Sequence, residues 1–154
     1  MTIIQSFKRV RRDGKVIDES MTAEDMFTLG LPEKIIELQW YDGSRPISFR
    51  ADYGVLARVI SGRESVAAIE ENDELGEHST LWIINADGSR RLQVSNTQPI
   101  HGKDITGEFG WLTKPRIEAS NIFGAIFGRR DSSSMFHLDI DATNGNVIGV
   151  YEAR

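Results

Sequence analysis

Short apolar runs separated by Asp-Gly or Asn-Gly pairs dominate the pattern of the chain. Glycine has no Cβ and Asp or Asn tolerates positive φ, so such a pair favours a primed turn, whose twist matches that of two paired strands. The pattern therefore predicts tight antiparallel hairpins at four places, namely Asp13-Gly14, Asp42-Gly43, Asp87-Gly88 and Asn144-Gly145.

The residues around these turns indicate which strand faces are buried. Before Asp42-Gly43, the side chains of Ile36, Leu38 and Trp40 alternate with more polar ones, which predicts a half-buried strand with one wet face. Residues 81–84 are apolar at every position, which is typical of a central strand covered on both faces. The strand after Asp87-Gly88 alternates again, so we expect it nearer the solvent.

Other stretches carry different signals. Residues 22–27 begin with a capping threonine and carry two acids in the first turn, which predicts a short helix that stops at Gly30. Residues 53–74 fit either a helix ended by Gly62 or two strands joined through it, and their β-branched residues favour strands. Further strands are predicted over residues 109–117 and 121–127.

These elements predict one domain, residues 1–154, of the mainly β (α+β) class. We expect an antiparallel, hairpin-rich sheet, arranged as a sandwich or a partly open barrel, with one or two short helices. The length of 154 residues suits one core of this kind. No apolar run is long enough to span a bilayer and the first residues lack the apolar centre of a signal peptide, so the expected location is the cytoplasm.

The chain contains no pattern typical of a catalytic or metal site. It has no cysteine, which excludes disulfides, thiolate zinc sites and cysteine nucleophiles. His78, His101 and His137 are not spaced as metal ligands. Residues 139–146 superficially resemble a calcium loop, but their register lacks its glycine and its bidentate glutamate. The sequence thus predicts no catalytic residue, no metal and no cofactor.

Charge is unevenly distributed along the chain. The formal net charge is −5, which argues against direct binding of nucleic acid. Residues 1–16 carry five cations and one acid, a pattern that suits a phosphate or an acidic surface but is more typical of an edge strand protected by charge. Residues 64–77 carry six acids and no base, which indicates either a solvated loop or a contact surface for a basic partner.

In type, the chain resembles the small cytoplasmic immunity proteins that bacteria encode beside polymorphic toxins of contact-dependent or type VI secretion systems. The resemblance rests on size, on the absence of cysteine, on the acidic balance, on the hairpins at Asp42-Gly43, Asp87-Gly88 and Asn144-Gly145, and on the tail at residues 138–146. It implies a tight, specific complex with one toxin domain, whose active site or substrate path is blocked. It carries over no catalytic residues.

The leading hypothesis is therefore a non-enzymatic inhibitor that covers a basic toxin face, without contact to a membrane. Its predicted partner-binding residues are acids of the run and nearby aromatic residues: Glu70, Glu71, Asp73, Glu74, Glu77, Trp40, Tyr41, Tyr53 and Trp111.

The alternative is an enzyme or small-ligand carrier built on a β-barrel or sandwich. Its pocket would be lined by Trp82, Phe109, Trp111 and Phe123, with His101, Asp104 and Glu108 as polar groups. A structural subunit of a larger assembly is a third possibility.

Overall fold

The computed structural model describes residues 3–129 and 132–153. Its one α-helix within these ranges, α1, spans Ala23–Phe27. Its strands are β1 (Ile4–Arg11), β2 (Val16–Asp18), β3 (Ile35–Asp42), β4 (Arg45–Arg50), β5 (Val55–Val59), β6 (Ser65–Glu71), β7 (Ser79–Asn85), β8 (Arg90–Val94), β9 (Thr97–Ile100), β10 (Lys103–Thr106), β11 (Glu108–Thr113), β12 (Ile122–Gly128), β13 (Met135–Asp141) and β14 (Val147–Ala153).

The strands form three four-stranded antiparallel sheets and a two-stranded ribbon. The first sheet has the order β2-β1-β3-β4, the second β5-β6-β7-β8 and the third β11-β12-β13-β14, and the ribbon pairs β9 with β10. Mainly β structure with a sandwich-like arrangement is confirmed, and the described strands close no barrel. No helix in the described part of the chain is long and apolar enough to cross a membrane.

The second sheet lies between the other two, and its central strands β6 and β7 are covered on both faces. In β7, Leu81 and Ile83 belong to the core shared with the third sheet, whereas Ile84 belongs to the core shared with the first. Trp82 packs against that first core from the same face as Ile84. Full burial of one such aliphatic side chain contributes about 1.5–3 kcal/mol. The central strand expected from the continuous apolar run is therefore confirmed.

All four expected turns connect paired strands, but their geometry is more varied than expected. Positive φ occurs at the glycine of each pair and not at the Asp or Asn before it. At Asp42-Gly43 the loop has two residues, because Asp42 pairs directly with Arg45. At Asp87-Gly88 the loop has three, closed by hydrogen bonds from Gly88 N to Asn85 O and from Asn85 N to Ser89 O. In that loop the Asp needs no left-handed backbone, and only the glycine does.

The helix and the ambiguous stretch also form as expected. Thr22 Oγ1 accepts from Asp25 N at 3.1 Å and Asp25 Oδ2 accepts from Thr22 N at 3.0 Å, so a capping box starts α1. Residues 53–74 contain β5 and β6, joined through Gly62 at φ 97°. The strand interpretation is confirmed.

Three features differ from the expectation. The strand predicted over residues 109–117 ends at Thr113, two residues before Pro115, which cannot donate a ladder hydrogen bond. The basic segment forms β1, which lies between β2 and β3, so the edge of the first sheet is β2 and the edge-strand interpretation is wrong. Met1 and Thr2 of that segment lie outside the described residues. The hairpin of β9 and β10 was not anticipated. Its turn, His101-Gly102, has positive φ at both residues, with histidine where Asn or Asp is usual.

Candidate partner-binding surface

The acidic run divides at the end of β6 into carboxylates that the fold uses and carboxylates that it leaves free. Glu70 belongs to the first group. Its Oε1 accepts from Trp82 Nε1 at 3.2 Å and from Arg90 Nη1 at 3.1 Å. The Arg90 guanidinium in turn stacks 4.5 Å from the ring centre of Phe49. Glu70 therefore completes the packing between the first and second sheets.

Glu71 joins three separate segments of the chain. Its Oε2 pairs with Lys34 Nζ at 2.5 Å, and Lys34 also donates to Tyr53 O at 3.2 Å. The same carboxylate fills the space beside Gly54 and Gly76, where an added Cβ would lie 2.6 Å and 3.2 Å from its oxygens. The segments that contain Lys34, Tyr53 and Gly76 are thus held side by side.

The turn between β6 and β7 projects the free carboxylates. We call residues 73–77 the acidic turn. Asp73 Oδ1 accepts from Glu77 N at 2.8 Å, and Gly76 N donates to Asp73 O at 3.2 Å. Asp73 therefore holds the shape of the turn. The side chains of Glu74 and Glu77 are exposed and make no hydrogen bond or ion pair with any described residue.

Leu75 is the apolar tip of the acidic turn. It lies between the two free glutamates and is 81% exposed. A single exposed leucine is ordinary on a protein surface. This one is held by a capped turn beside Tyr53, which is itself 43% exposed. Sequence analysis missed Leu75, although its signal is visible there as the one large apolar residue within residues 70–77, five of which are acids.

The other aromatic candidates differ in how much surface they offer a partner. Trp40 is 1% exposed and its Nε1 donates to Ala86 O at 2.7 Å, so it is a core residue with no surface to offer a partner. Tyr41 is exposed, but it lies seven residues along the chain from Lys34, about 23 Å away on an extended strand. Trp111 is exposed on β11, two residues beyond Phe109, whose carbonyl accepts from Ser79 Oγ at 3.4 Å. Tyr53 precedes Gly54, which lies against the same Glu71 carboxylate as Gly76 of the acidic turn.

The pocket of the alternative hypothesis does not form. Phe109 and Phe123 are buried in the core between the second and third sheets, whereas Trp82 packs on the opposite face of the second sheet. Trp111 is exposed on the surface. The aromatic residues therefore line no common cavity.

The three polar residues of that hypothesis, Glu108, His101 and Asp104, lie in different surroundings and form no common site. Glu108 Oε2 accepts from Ser79 Oγ at 3.1 Å and from Asn96 Nδ2 at 3.2 Å, while His101 occupies the ribbon turn and packs against Phe136. Asp104 lies exposed on β10. No cluster of three or more His, Asp or Glu residues suited to a metal occurs in the described ranges.

One carboxylate in the third sheet has a structural role that the sequence did not reveal. Asp139 is fully buried, and its Oδ1 and Oδ2 accept from Arg116 N at 3.1 Å and Ile117 N at 2.9 Å. His137 Nε2 lies 2.8 Å from Asp139 Oδ1. Because an ionised carboxylate only accepts, a hydrogen bond to it across this contact is donated by the imidazole. We call this arrangement the buried carboxylate site.

Glycines make room for the buried carboxylate site. In the sheet register Asp139 lies between Gly124 of β12 and Gly149 of β14. A Cβ at Gly124 would lie 2.9 Å from both His137 Nε2 and Thr113 O. Glycine at this position therefore lets the His137 ring and the Thr113 backbone approach β12 closely.

The architecture is that of a small, mainly β protein, and no catalytic or metal-binding cluster is assembled among the described residues. No protein-family profile matches the chain, and neither does any curated protein sequence. A chain in the solved structure of Tne2 in complex with Tni2 matches with a TM-score of 0.92 and 31% identity, over 99% of this chain and 100% of that one. This chain belongs to the same toxin-immunity family, and the resemblance expected from the sequence is confirmed.

Proposed function

We propose that this chain is a cytoplasmic immunity protein that binds a cognate toxin domain and neutralises it by stoichiometric occlusion, without catalysis of its own. The acidic turn is the observation that carries the proposal. It presents an 81% exposed leucine between two carboxylates that have no partner among the described residues. The match to a chain of the Tne2–Tni2 complex supports the same class of function.

The chemistry of the acidic turn suits a basic toxin face. Free carboxylates at the rim of an interface accelerate association with a positively charged surface, and an apolar side chain at the centre slows dissociation. Glu74 and Glu77 supply the charge and Leu75 supplies the apolar anchor. A turn of this kind fits a toxin cleft that holds an anionic substrate, because such a cleft is positively charged and concave.

The turn is also ordered before binding. Asp73 caps it, and the Glu71 carboxylate holds Gly76 beside Tyr53 and Lys34. A preorganised loop loses less conformational entropy when it binds, so more of the contact energy appears as affinity.

The test of stoichiometric occlusion is an expression titration in cells. This chain is induced to graded levels against a fixed dose of the toxin domain encoded beside its gene, and survival is measured with the amounts of both proteins. A one-to-one complex saturates, so we expect a survival threshold near molar equivalence. Full protection at a small fraction of the toxin amount would contradict the proposal, because only turnover gives that result.

A matched pair of variants tests the surface. The variant Glu74→Gln, Leu75→Ser, Glu77→Gln removes both free charges and the anchor but keeps Asp73, which shapes the turn. Its control, Asp104→Asn, Ile148→Ser, Glu152→Gln, makes the same chemical changes at exposed positions on β10 and β14. We expect loss of protection in the first variant alone. Equal protection by both variants would exclude the acidic turn from the interface.

A further inference from the structure

An apolar cleft lies where α1 meets the first sheet. Its volume is about 820 Å³, and its walls include Ile17, Ile35 and Met26. None of the residues of α1 is buried, so the helix covers this end of the sheet incompletely. Phe27 and Leu31, at the rim of the cleft, are each 86% exposed. Two such exposed apolar side chains at one cleft are uncommon on a surface that only contacts water.

The backbone around the cleft is fixed by two buried or bridging cations. Arg11, which is 5% exposed, donates through Nη2 to Leu31 O at 2.8 Å and pairs with Asp13 at 2.7 Å. Lys15 Nζ donates to Leu29 O at 2.8 Å. The Leu31 side chain is therefore exposed on an anchored backbone, which is the arrangement of a preorganised contact residue.

Arg9 supplies an unsatisfied positive charge to the cleft. It is partly buried and lines both the cleft and a second cavity that contains Asp18 and Glu19, yet its guanidinium makes no hydrogen bond or ion pair with any described residue. Burial lowers its pKa. The nearby acids are engaged elsewhere, since both oxygens of Glu19 bind Arg63 and Asp18 Oδ1 binds Ser20. A partly desolvated guanidinium of this kind forms a strong, charge-assisted hydrogen bond with a carboxylate that a bound protein supplies.

Lys34 and Glu71 link the rim of the cleft to the acidic turn. Leu31 is three residues from Lys34, which spans at most about 11 Å. Lys34 pairs with Glu71, whose carboxylate contacts Gly76 of the acidic turn. Leu31 at the rim of the cleft is therefore a near neighbour of the acidic turn through Lys34 and Glu71.

We infer that the cleft is the second half of the toxin interface, and that it takes a toxin segment in which an apolar side chain is followed by a carboxylate. The apolar side chain packs on Met26, Phe27 and Leu31, and the carboxylate pairs with Arg9. This inference rests on the proposed function. It adds a site of opposite charge to that of the acidic turn, so the toxin face that fits is basic at one end and carries an acid at the other.

Site-specific crosslinking tests which molecule occupies the cleft. Phe27→p-benzoylphenylalanine places the photoreactive group at the rim, and Ile148→p-benzoylphenylalanine, at a residue of β14 that is 46% exposed, is the control. Both are irradiated with the purified toxin domain encoded beside the gene. We expect a crosslink to the toxin from position 27 and none from position 148.

The outcomes separate the two proposals. A complex that forms without a crosslink from position 27 overturns the cleft alone, and failure of any complex to form overturns both the cleft and the proposed function. A crosslink from position 27 to a second copy of this chain overturns the toxin as occupant.

A second variant tests the role of Arg9. We expect Arg9→Gln to raise the dissociation constant for the toxin about tenfold. Arg45→Gln, at an exposed arginine of β4, should change that constant less than twofold. Because Arg9 has no internal partner, its loss leaves the free energy of unfolding unchanged or raises it. Unchanged affinity would overturn the ion pair, and lower stability with unchanged affinity would make Arg9 a structural residue.

Discussion

The buried carboxylate site and the acidic turn place the same functional group in opposite surroundings. At Asp139 both carboxylate oxygens accept hydrogen bonds from within the chain and none of the side chain is exposed. At Glu74 and Glu77 the side chains are exposed and have no partner among the described residues. The first group anchors a segment of backbone to the third sheet, and the second leaves its full charge facing outward.

This difference separates stability from recognition. A buried carboxylate has lost its water. If its partners or its own oxygens are removed, the remaining buried polar groups lack hydrogen bonds, which lowers the free energy of unfolding. An exposed carboxylate keeps its water and contributes little to folding, but its field extends about 8 Å at physiological ionic strength. Substitutions at the two regions should therefore change two different measurements, the free energy of unfolding and the affinity for the toxin.

The largest expected effect is on stability, from Asp139→Asn. The amide nitrogen that replaces one carboxylate oxygen donates, so it faces the N–H of Arg116 or Ile117 with no acceptor between them. We expect a loss of about 2–4 kcal/mol in the free energy of unfolding, measured by urea denaturation. The folded fraction should still bind the toxin with unchanged affinity.

An exposed aspartate provides the control for this substitution. Asp104→Asn, on β10, should change the free energy of unfolding by less than about 0.5 kcal/mol. A loss below 0.5 kcal/mol for Asp139→Asn as well would show that the buried carboxylate does not hold the segment at residues 116–117.

The next effect is on binding, from Leu75→Ser. Leu75 is the one apolar group at the tip of the acidic turn, and central apolar anchors carry much of the energy of an interface. We expect the dissociation constant for the toxin to rise about 10- to 100-fold, mainly through faster dissociation, as surface plasmon resonance would show. Since the side chain is 81% exposed, stability should stay within about 0.5 kcal/mol of the parent. A loss of stability without a change in dissociation would reverse the roles assigned to the two regions.

Local sequence patterns were sufficient for most of the fold. The Asp-Gly and Asn-Gly pairs located four hairpins because glycine alone satisfies the left-handed backbone each turn requires. The hairpin at His101-Gly102 escaped because histidine rarely occupies that conformation and Pro99 argues against a strand. The edge position of the basic strand was misjudged because pairing order is a long-range property.

The composition of the candidate surface depended on contacts that no local pattern contains. Glu70 and Glu71 are removed from it by Arg90 and Lys34, which are 20 and 37 residues away in the chain. Trp40 does not belong to the surface because it is buried. The alternating pattern of β3 predicts which face Trp40 occupies, but it does not predict how deeply that face is covered. The acidic run itself was visible in the sequence, and the structure divides it.

Glu71→Gln tests the boundary between the two regions, because Glu71 is bonded internally yet lies beside the acidic turn. The pair with Lys34 is partly exposed, at 38% for Lys34 and 27% for Glu71, so solvent screens part of its energy. We expect a loss of about 1 kcal/mol or less, seen as a fall of about 2–4 °C in Tm.

The pair of Lys114 and Glu118 is the control for this boundary. Both side chains are more than 70% exposed, so Glu118→Gln should change Tm by less than about 1 °C. Equal effects of Glu71→Gln and Glu118→Gln would show that Glu71 behaves as an ordinary surface acid and belongs with the free carboxylates.

The smallest expected effect is that of Glu74→Gln combined with Glu77→Gln, and it should appear in the rate of association. The two charges have no internal partner, so the free energy of unfolding should stay within about 0.5 kcal/mol of the parent. At low salt we expect association with the toxin to slow about three- to tenfold, because long-range attraction to a basic face is lost. The dependence of the rate on ionic strength should become shallower, since screening then has less attraction to remove. Asp104→Asn with Glu152→Gln removes the same net charge away from the turn and should leave both the rate and its salt dependence nearly unchanged. If the two double variants slow association equally, the attraction comes from the net charge of the chain, and the acidic turn has no steering role of its own.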